Sequence, residues 1–342
     1  MASARGEVTV IDFSRAFETA WQRMTIILFQ PFDLAKWGLI GFSAFLAMLA
    51  EGGVSFNNPL PYGNQNTTAS HTYTTLPQAL HAFKQFRTWL DALPNDPWLT
   101  VFVCLAIAFV VVSLVLNWVG CRGEFIFLDN IVRNRAALAW PWWHYARAGN
   151  IWFLLHFGLF LLSMLFFVTT SGVFLYINWA WIDAERNPNP GEIGALVLST
   201  LVFFILGVIG TVIKFLIRTL VLPLYFKQTM SLGSALLAVM HLVFTRPVSI
   251  FVYVLLSFVL AVLSIAISCL VFITAFCATF SIICCVACFP FLGAMLMQMV
   301  LCQLILPLLV FKRCFQLGCL EQFGPEYDVF SVDLPPPGTP GI

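Results

Sequence analysis

The sequence predicts an all-α protein, a polytopic bundle of about six transmembrane helices. Two observations predict this class. Of the 342 residues, 60% are hydrophobic and 10% are charged, whereas a soluble domain is about 45–50% apolar and about 25% charged. Several apolar runs also approach the roughly 20 residues that a helix needs to cross a bilayer. Runs such as residues 101–116 are almost continuously apolar, and they lack the alternation that is typical of a membrane β-barrel strand.

Six spans are predicted, and the first is short. They cover residues 34–51, 97–120, 151–181, 193–222, 248–276 and 290–312. At 1.5 Å per residue, the first covers roughly 24 Å of a hydrocarbon core about 30 Å thick, and Lys36 can extend it by reaching the interface. Residues 248–311 contain no Lys, Arg, Asp or Glu, so they offer room for two helices or for three. The break at Pro290 favours two, within one transmembrane domain over residues 34–320.

The basic residues predict the orientation. Only three of the 17 Lys and Arg residues lie in the segments assigned to the outer side, namely Lys84, Arg87 and Arg186. Because cytoplasmic loops are enriched in Lys and Arg, we expect a multi-pass protein of the cell inner (cytoplasmic) membrane with both termini in the cytoplasm. An outer loop then covers residues 52–96, and residues 321–342 form a flexible cytoplasmic tail.

An amphipathic helix is predicted before spans 1, 3 and 5. The three segments are residues 11–29, 124–143 and 231–247, and each leads through a proline into a span. In the first, within an N-terminal cytoplasmic region over residues 1–33, the apolar stripe consists of Phe13, Phe17, Trp21, Met24 and Leu28. Such helices can lie in the headgroup layer, with Lys and Arg toward anionic lipid. The alternative is that they are cytoplasmic extensions of the spans, packed on one another.

Residues 20–53 and 217–247 carry a resemblance to known proteins. The stretch "LFQPFDLAKWGLIGFSAFLAMLAEGG" and the later "IRTLVLPLYFKQTMSLGSALLAVMHLVFTRP" resemble uncharacterised prokaryotic polytopic membrane proteins. They are also similar to the membrane domain attached to some glycerophosphoryl diester phosphodiesterases. The resemblance implies a six-helix membrane domain. It implies no catalysis, because that activity belongs to a separate soluble domain that is absent here.

Lys214, Arg218 and His156 are the candidate binding residues. Lys214 and Arg218 are four residues apart at the inner end of the fourth span, so they share a helix face and could clamp a lipid phosphate. The alternative is that both reach the interface as anchors. His156 lies inside the third span, where a polar residue is a candidate for function or for a hydrogen bond between helices.

The cysteines favour structural packing over metal binding. Cys277, Cys284, Cys285 and Cys288 are clustered, but a zinc site needs four ligands, and neither a second CxxC pair nor a nearby histidine is present. A disulfide at the outer end is the other alternative for these four. Cys314 and Cys319 lie at the inner end, where acylation is conceivable. No cofactor is expected.

We expect a non-enzymatic membrane scaffold or accessory subunit, because no catalytic motif is found in the sequence. The alternative is a transporter or a flippase-like protein for a lipid or another amphiphile. The expected partners are membrane lipids and a partner protein or further copies of the chain. A net charge of +1 gives no reason to expect nucleic acid.

Overall fold

The computed structural model describes residues 12–50, 97–183, 189–227, 231–286 and 290–330, and these ranges contain helices and turns without a strand. The predicted outer loop over 52–96 lies outside them, as do residues 331–342 of the predicted tail. The helices are α1 (Phe13–Phe29), α2 (Leu34–Ala50), α3 (Pro97–Val132), α4 (Ala139–His144), α5 (Ala146–Asp183), α6 (Pro190–Leu216), a π-helical turn (Ile217–Val221), α7 (Leu222–Phe226), α8 (Leu232–Thr245), α9 (Pro247–Val286), α10 (Pro290–Leu304) and α11 (Leu306–Glu321).

The helical membrane architecture is confirmed. In the described ranges, four helical stretches are long and apolar enough to cross a membrane: Val101–Val132, Ala146–Phe174, Pro190–Phe226 and Pro247–Thr274. A fifth is possible if α10 and α11, which are bent by 68° relative to each other, count as one broken span. The apolar helix α2 is shorter, at 17 residues. Six spans are compatible with this set, and residues 248–311 fall on α9 and the bent pair.

The structure differs from the prediction at residues 124–143. Helix α3 continues without a break through Val132 and measures 36 residues, or about 54 Å. All residues from 121 to 131 are buried. This segment is therefore the packed end of a long helix, followed by a turn and the short α4, and no separate amphipathic helix forms. The reason is that no proline separates the predicted second span from the polar residues after it, so the helix propagates through both.

The chain divides into two compact units, and several helices contribute to both. Unit 1 comprises Met1–Val54, Trp118–Phe153 and Thr211–Ile342, and unit 2 comprises Ser55–Asn117 and Leu154–Gly210. In unit 2, α5 and α6 meet through Phe167 and Phe203, whose ring centroids are 5.9 Å apart. The large apolar side chains described on the helices of unit 2 are mostly exposed, as expected for surfaces that face lipid or another apolar surface.

Helix α1 packs antiparallel on α11 in unit 1. Its buried face consists of Ala16, Ala20, Met24, Ile27 and Leu28, and Gly318 of α11 lies against Ala16. Three residues of the predicted stripe, Phe13, Phe17 and Trp21, are instead 41–56% exposed and flank the interface, where Phe17 meets Phe311 at 5.2 Å. Small residues occupy the centre because α11 approaches closely there. This contact favours packed extensions for α1, while insertion of its aromatic flank into the interface stays a prediction.

A pair of hydrogen bonds joins the start of α1 to the end of α11. The backbone N–H of Asp12 donates to Oε1 of Gln322 at 2.7 Å, and Nε2 of Gln322 donates to the carbonyl oxygen of Asp12 at 3.0 Å. Asp12 also caps α1, because its carboxylate accepts from the backbone N–H of Ser14 at 2.9 Å. Beyond α11, Phe323 and Val329 are buried, so the first part of the predicted tail packs on the protein.

Helix α2 contacts the C-terminal part of α3 through glycines. A Cβ atom added at Gly123 would lie 2.5 Å from Cβ of Leu46, and one added at Gly120 would overlap the backbone of Ala50. Such a separation is possible only without a side chain, so glycine sets the distance between the two helices. On another side of α2, Nε2 of Gln303 in α10 donates to the carbonyl oxygen of Gly38 at 3.1 Å. Unit 1 thus holds α2 between α3 and α10.

Candidate functional site

The C-terminal part of α3 carries four buried polar side chains. In the stretch 121–130, Arg122 is 8% exposed, Glu124 is 3% exposed, and Asp129 and Asn130 are fully buried. A charge removed from water is costly unless it is paired and hydrogen-bonded. The partners of these residues therefore indicate what the segment does.

Glu124 is paired with residues from two other segments. Its Oε1 lies 2.8 Å from an Nη atom of Arg218, and its Oε2 accepts a hydrogen bond of 2.8 Å from Nε1 of the fully buried Trp152. Arg218 also approaches the carbonyl oxygen of Ala47 in α2 at 3.4 Å. The ion pair therefore connects α3, the start of α5, α2 and the π-helical turn.

Arg218 lies on the π-helical turn Ile217–Val221, where Thr219, Leu220 and Val221 are buried. A π-helical turn is rare and often occurs at functional positions. Thr219 donates from its hydroxyl to the carbonyl oxygen of Phe215 at 2.8 Å. Lys214, one turn earlier in α6, is exposed.

Asp129 holds two arginines and a tyrosine. Its carboxylate lies 3.1 Å from Nε of Arg133 and accepts from Nε and Nη2 of Arg135 at 2.9 and 2.7 Å. The hydroxyl of Tyr145 donates to Oδ1 at 3.1 Å. Burial, followed by the neighbouring charge of Asp129, raises the pKa of Tyr145, so this hydroxyl keeps its proton and donates. We name Asp129, Arg133, Arg135 and Tyr145 the Asp129 cluster.

Asn130 connects the Asp129 cluster to α2. Its Nδ2 donates to Oγ of Ser43 at 3.2 Å, and Oγ of Ser43 donates to the carbonyl oxygen of Ile40 at 2.7 Å. Its Oδ1 accepts from the backbone N–H of Ala137 at 3.0 Å, which closes the turn after α3. Asn130 therefore fixes the end of α3 to a side chain of α2 and to the backbone of the turn that follows.

Tryptophans cover the arginines of this region. The guanidinium carbon of Arg122 lies 4.4 Å from the ring centroid of Trp118, and those of Arg133 and Arg135 lie 4.9 and 4.4 Å from the ring centroid of Trp140. Cation–π contacts of this kind stabilise a partly desolvated charge. His144 stacks on Trp140 at 4.2 Å. Burial, reinforced by the charge of Arg133, lowers the pKa of His144.

The predicted site residues Lys214, Arg218 and His156 are divided between the two units. Lys214 and Arg218 both belong to unit 1, but the guanidinium of Arg218 pairs with Glu124. A lipid phosphate at Arg218 would have to compete with that carboxylate, so the predicted clamp stays a prediction. His156 is partly buried in α5 and belongs to unit 2.

Six cysteines described by the structure are not part of a disulfide bond: Cys104, Cys121, Cys269, Cys302, Cys314 and Cys319. Cys314 and Cys319 are fully buried, which removes them from an acylating enzyme. Cys288 and the side chains of Cys277, Cys284 and Cys285 lie outside the described part. Within the described part, no three His, Cys, Asp or Glu side chains are arranged to hold a metal ion.

Sequence reasoning missed Glu124, Asp129, Tyr145 and Trp152. Residues 124–143, which include Asp129, were predicted to form an amphipathic helix, whereas the structure buries Asp129 completely. The available signal was the context "GEFIFLDNIV", in which both acidic residues stand among large apolar ones. An acidic residue in such surroundings needs a cationic partner, and sequence alone does not identify it.

These features define an all-α protein with several helices able to span a membrane and a cluster of buried, paired polar residues at the C-terminal end of α3. The chain belongs to a family of unknown function, DUF7544, whose model matches residues 12–330. No curated protein and no solved structure matches it.

Proposed function

We propose that this protein is a non-enzymatic scaffold or accessory subunit of the cytoplasmic membrane, with both termini in the cytoplasm. The observation that carries the proposal is the internal pairing of the buried charges. Glu124 pairs with Arg218, and Asp129 pairs with Arg133 and Arg135. Groups committed to one another fix the positions of helices, whereas a catalytic or transport site needs polar groups directed at a substrate.

The surfaces of the apolar helices support the same proposal. In Val101–Val132 and Pro190–Phe226, no residue of the most apolar 18-residue stretch is buried within the chain. Phe160 and Phe204, for example, are 53% and 66% exposed. Surfaces that are apolar on all sides suit contact with lipid or with another membrane protein. They do not suit a passage for a polar headgroup.

The resemblance to the membrane domain of some glycerophosphoryl diester phosphodiesterases fits this role. In those proteins, the membrane domain accompanies a separate catalytic domain, so an accessory function is compatible with it. The likeness rests on residues 20–53 and 217–247 and assigns no activity to this chain.

Photo-crosslinking in native membranes tests the proposal. The amino acid p-benzoylphenylalanine is placed at Phe160, at Phe204 and, as a matched control, at the fully buried Phe125. A scaffold predicts discrete protein adducts of defined mass from the two exposed positions and none from position 125. If only lipid is captured at both exposed positions, the scaffold proposal is wrong.

A second assay separates the scaffold from the flippase-like alternative. The purified protein is reconstituted into vesicles with a fluorescent phospholipid, and dithionite measures how fast the lipid changes leaflets. We expect the rate of protein-free vesicles. A protein-dependent rate that is lost in Lys214→Gln or His156→Ala would instead establish lipid movement through the residues that the sequence singles out.

A further inference from the structure

A basic and aromatic surface lies directly before α5. It consists of Arg133, Arg135, Trp140, Trp143 and His144, which we name the tryptophan–arginine surface. Trp143 is 75% exposed and Trp140 is 42% exposed. The side chains of Arg133 and Arg135 are mostly buried, with 11% and 23% of their areas still accessible. None of these residues was part of the candidate clamp at Lys214 and Arg218.

We propose that the tryptophan–arginine surface binds the phosphate of an anionic phospholipid headgroup. This binding goes beyond the proposed scaffold role, because it assigns a ligand and a site. The charge, the geometry and the position of the surface support this assignment.

The charge of the surface is positive. Asp129 supplies one negative charge against the two positive charges of Arg133 and Arg135, and Tyr145 donates a neutral hydroxyl. Nearby, Arg147 is exposed. The ammonium group of Lys36 donates to Oδ1 of Asn134 at 2.8 Å, and Asp33 is the acidic residue next to Lys36. An excess of positive charge therefore stays at the surface after every pairing described.

The geometry presents the arginines for phosphate. Asp129 engages Nε of Arg133 and engages Nε and Nη2 of Arg135, and Nη2 of Arg133 points to Tyr145 at 3.5 Å. Among the described residues, Nη1 of neither arginine takes part in a hydrogen bond. Both guanidinium groups lie over Trp140, so their orientation is fixed before a ligand arrives. A prepositioned guanidinium is the preferred side chain for a phosphate oxygen.

The position of the surface matches a headgroup. Trp143 comes three residues before α5, which begins at Ala146 and is long and apolar enough to cross a membrane through Phe174. The surface is therefore next to the end of a span, at the level where phosphates lie. Tryptophan is enriched at this level of a bilayer. An exposed ring such as Trp143 can bury its apolar part among acyl chains while the arginines meet the phosphate.

Native mass spectrometry of the detergent-purified full chain tests the assignment. The protein is titrated with phosphatidylglycerol and, separately, with phosphatidylcholine. Since one basic residue near an anionic surface contributes about fivefold in affinity, and the Asp129 cluster has an excess of one positive charge, we expect phosphatidylglycerol to bind about fivefold more tightly. Equal affinities for the two lipids would overturn the proposal.

Three variants locate the site. Arg135→Lys keeps the positive charge and a partner for Asp129 but loses the planar guanidinium with its paired N–H donors. Trp143→Ala removes the exposed indole ring and leaves the contacts of Asp129 intact. Both are expected to reduce the affinity for phosphatidylglycerol several-fold. Arg15→Gln, at an exposed position on α1, removes a charge elsewhere and should leave this affinity unchanged. An equal loss of affinity in Arg15→Gln would show that the loss is not specific to these residues and would refute a site at this surface.

Competition distinguishes a lipid from a free phosphate compound. Inorganic phosphate and glycerol 3-phosphate carry the same phosphate chemistry without acyl chains. At millimolar concentration, neither should displace phosphatidylglycerol, because Trp143 adds apolar contact that only the lipid supplies. If both displace it and bind with similar affinity, the surface recognises a soluble phosphate and the lipid assignment is wrong.

Discussion

Replacement of Glu124 by alanine is expected to destabilise the protein strongly. The substitution removes the carboxylate that pairs with Arg218, whose side chain is 24% exposed, and removes the acceptor of the Trp152 indole. Loss of one partner of a buried ion pair costs about 3–5 kcal/mol. Loss of an acceptor for a buried donor costs about 1–3 kcal/mol.

The expected total is about 4 kcal/mol, because the partial exposure of Arg218 favours the lower part of the first range. Glu124→Gln keeps an acceptor for Trp152 and is expected to cost about 2–3 kcal/mol. The matched control is Glu18→Ala, an exposed position on α1, which should stay within about 0.5 kcal/mol.

Reversible unfolding in mixed micelles of mild detergent and SDS measures these free energies. The double variant Glu124→Gln/Arg218→Gln should lose less stability than the sum of its single variants, by about 1 kcal/mol or more. Two results would refute the reasoning: a Glu124→Ala variant as stable as Glu18→Ala, or single-variant losses that add without coupling.

Three further predictions concern helix packing, the ends of the chain and pH. Gly123→Ala should cost about 1–3 kcal/mol in the same unfolding assay, because its Cβ would lie 2.5 Å from a side-chain carbon of α2. Gly158→Ala is the control and should cost nothing, because a Cβ there meets nothing within 4 Å. Equal losses of stability in the two variants would contradict the contact. Gln322→Ala removes both hydrogen bonds to Asp12 and should speed amide hydrogen exchange in the first turn of α1, with little change in the midpoint of unfolding. An unchanged exchange rate would show that these bonds do not hold α1 in place. The lowered pKa of His144 favours its neutral form in the folded state, so the unfolded chain binds a proton more readily below the ordinary pKa of 6.5. The free energy of unfolding should therefore fall from pH 6.5 toward about pH 5, and it should fall less in His144→Gln. Identical slopes of stability against pH in the two proteins would exclude this contribution.

The starts of the long helices could be predicted from the sequence. Pro97, Pro190, Pro247 and Pro290 each occupy the first position of a helix, where the missing N–H of proline has no cost. The predicted spans began at 97, 193, 248 and 290, close to these residues. Local chemistry determines a helix start, so it can be recognised without knowledge of the fold.

The helix ends and the candidate site could not be predicted in the same way. The apolar pattern marks only the part of α3 that suits a membrane, and the helix continues to Val132 because its polar end packs inside unit 1. The partner of Glu124 is Arg218, on a π-helical turn far along the chain. Periodicity along one segment carries no information about such a pair. Arg218 was singled out from the sequence because of its charge, and the structure shows that this charge pairs with the carboxylate of Glu124.

The antiparallel pair of α1 and α11 has a consequence for biosynthesis. Asp12 and Gln322, which join the ends of these helices, are 310 positions apart, so α1 leaves the ribosome long before its partner exists. Throughout translation, its buried face of small and apolar residues has no α11 to cover it. A nascent or truncated chain therefore exposes a surface that is buried in the finished protein. Chaperones or membrane proteases can recognise incomplete chains by binding this surface.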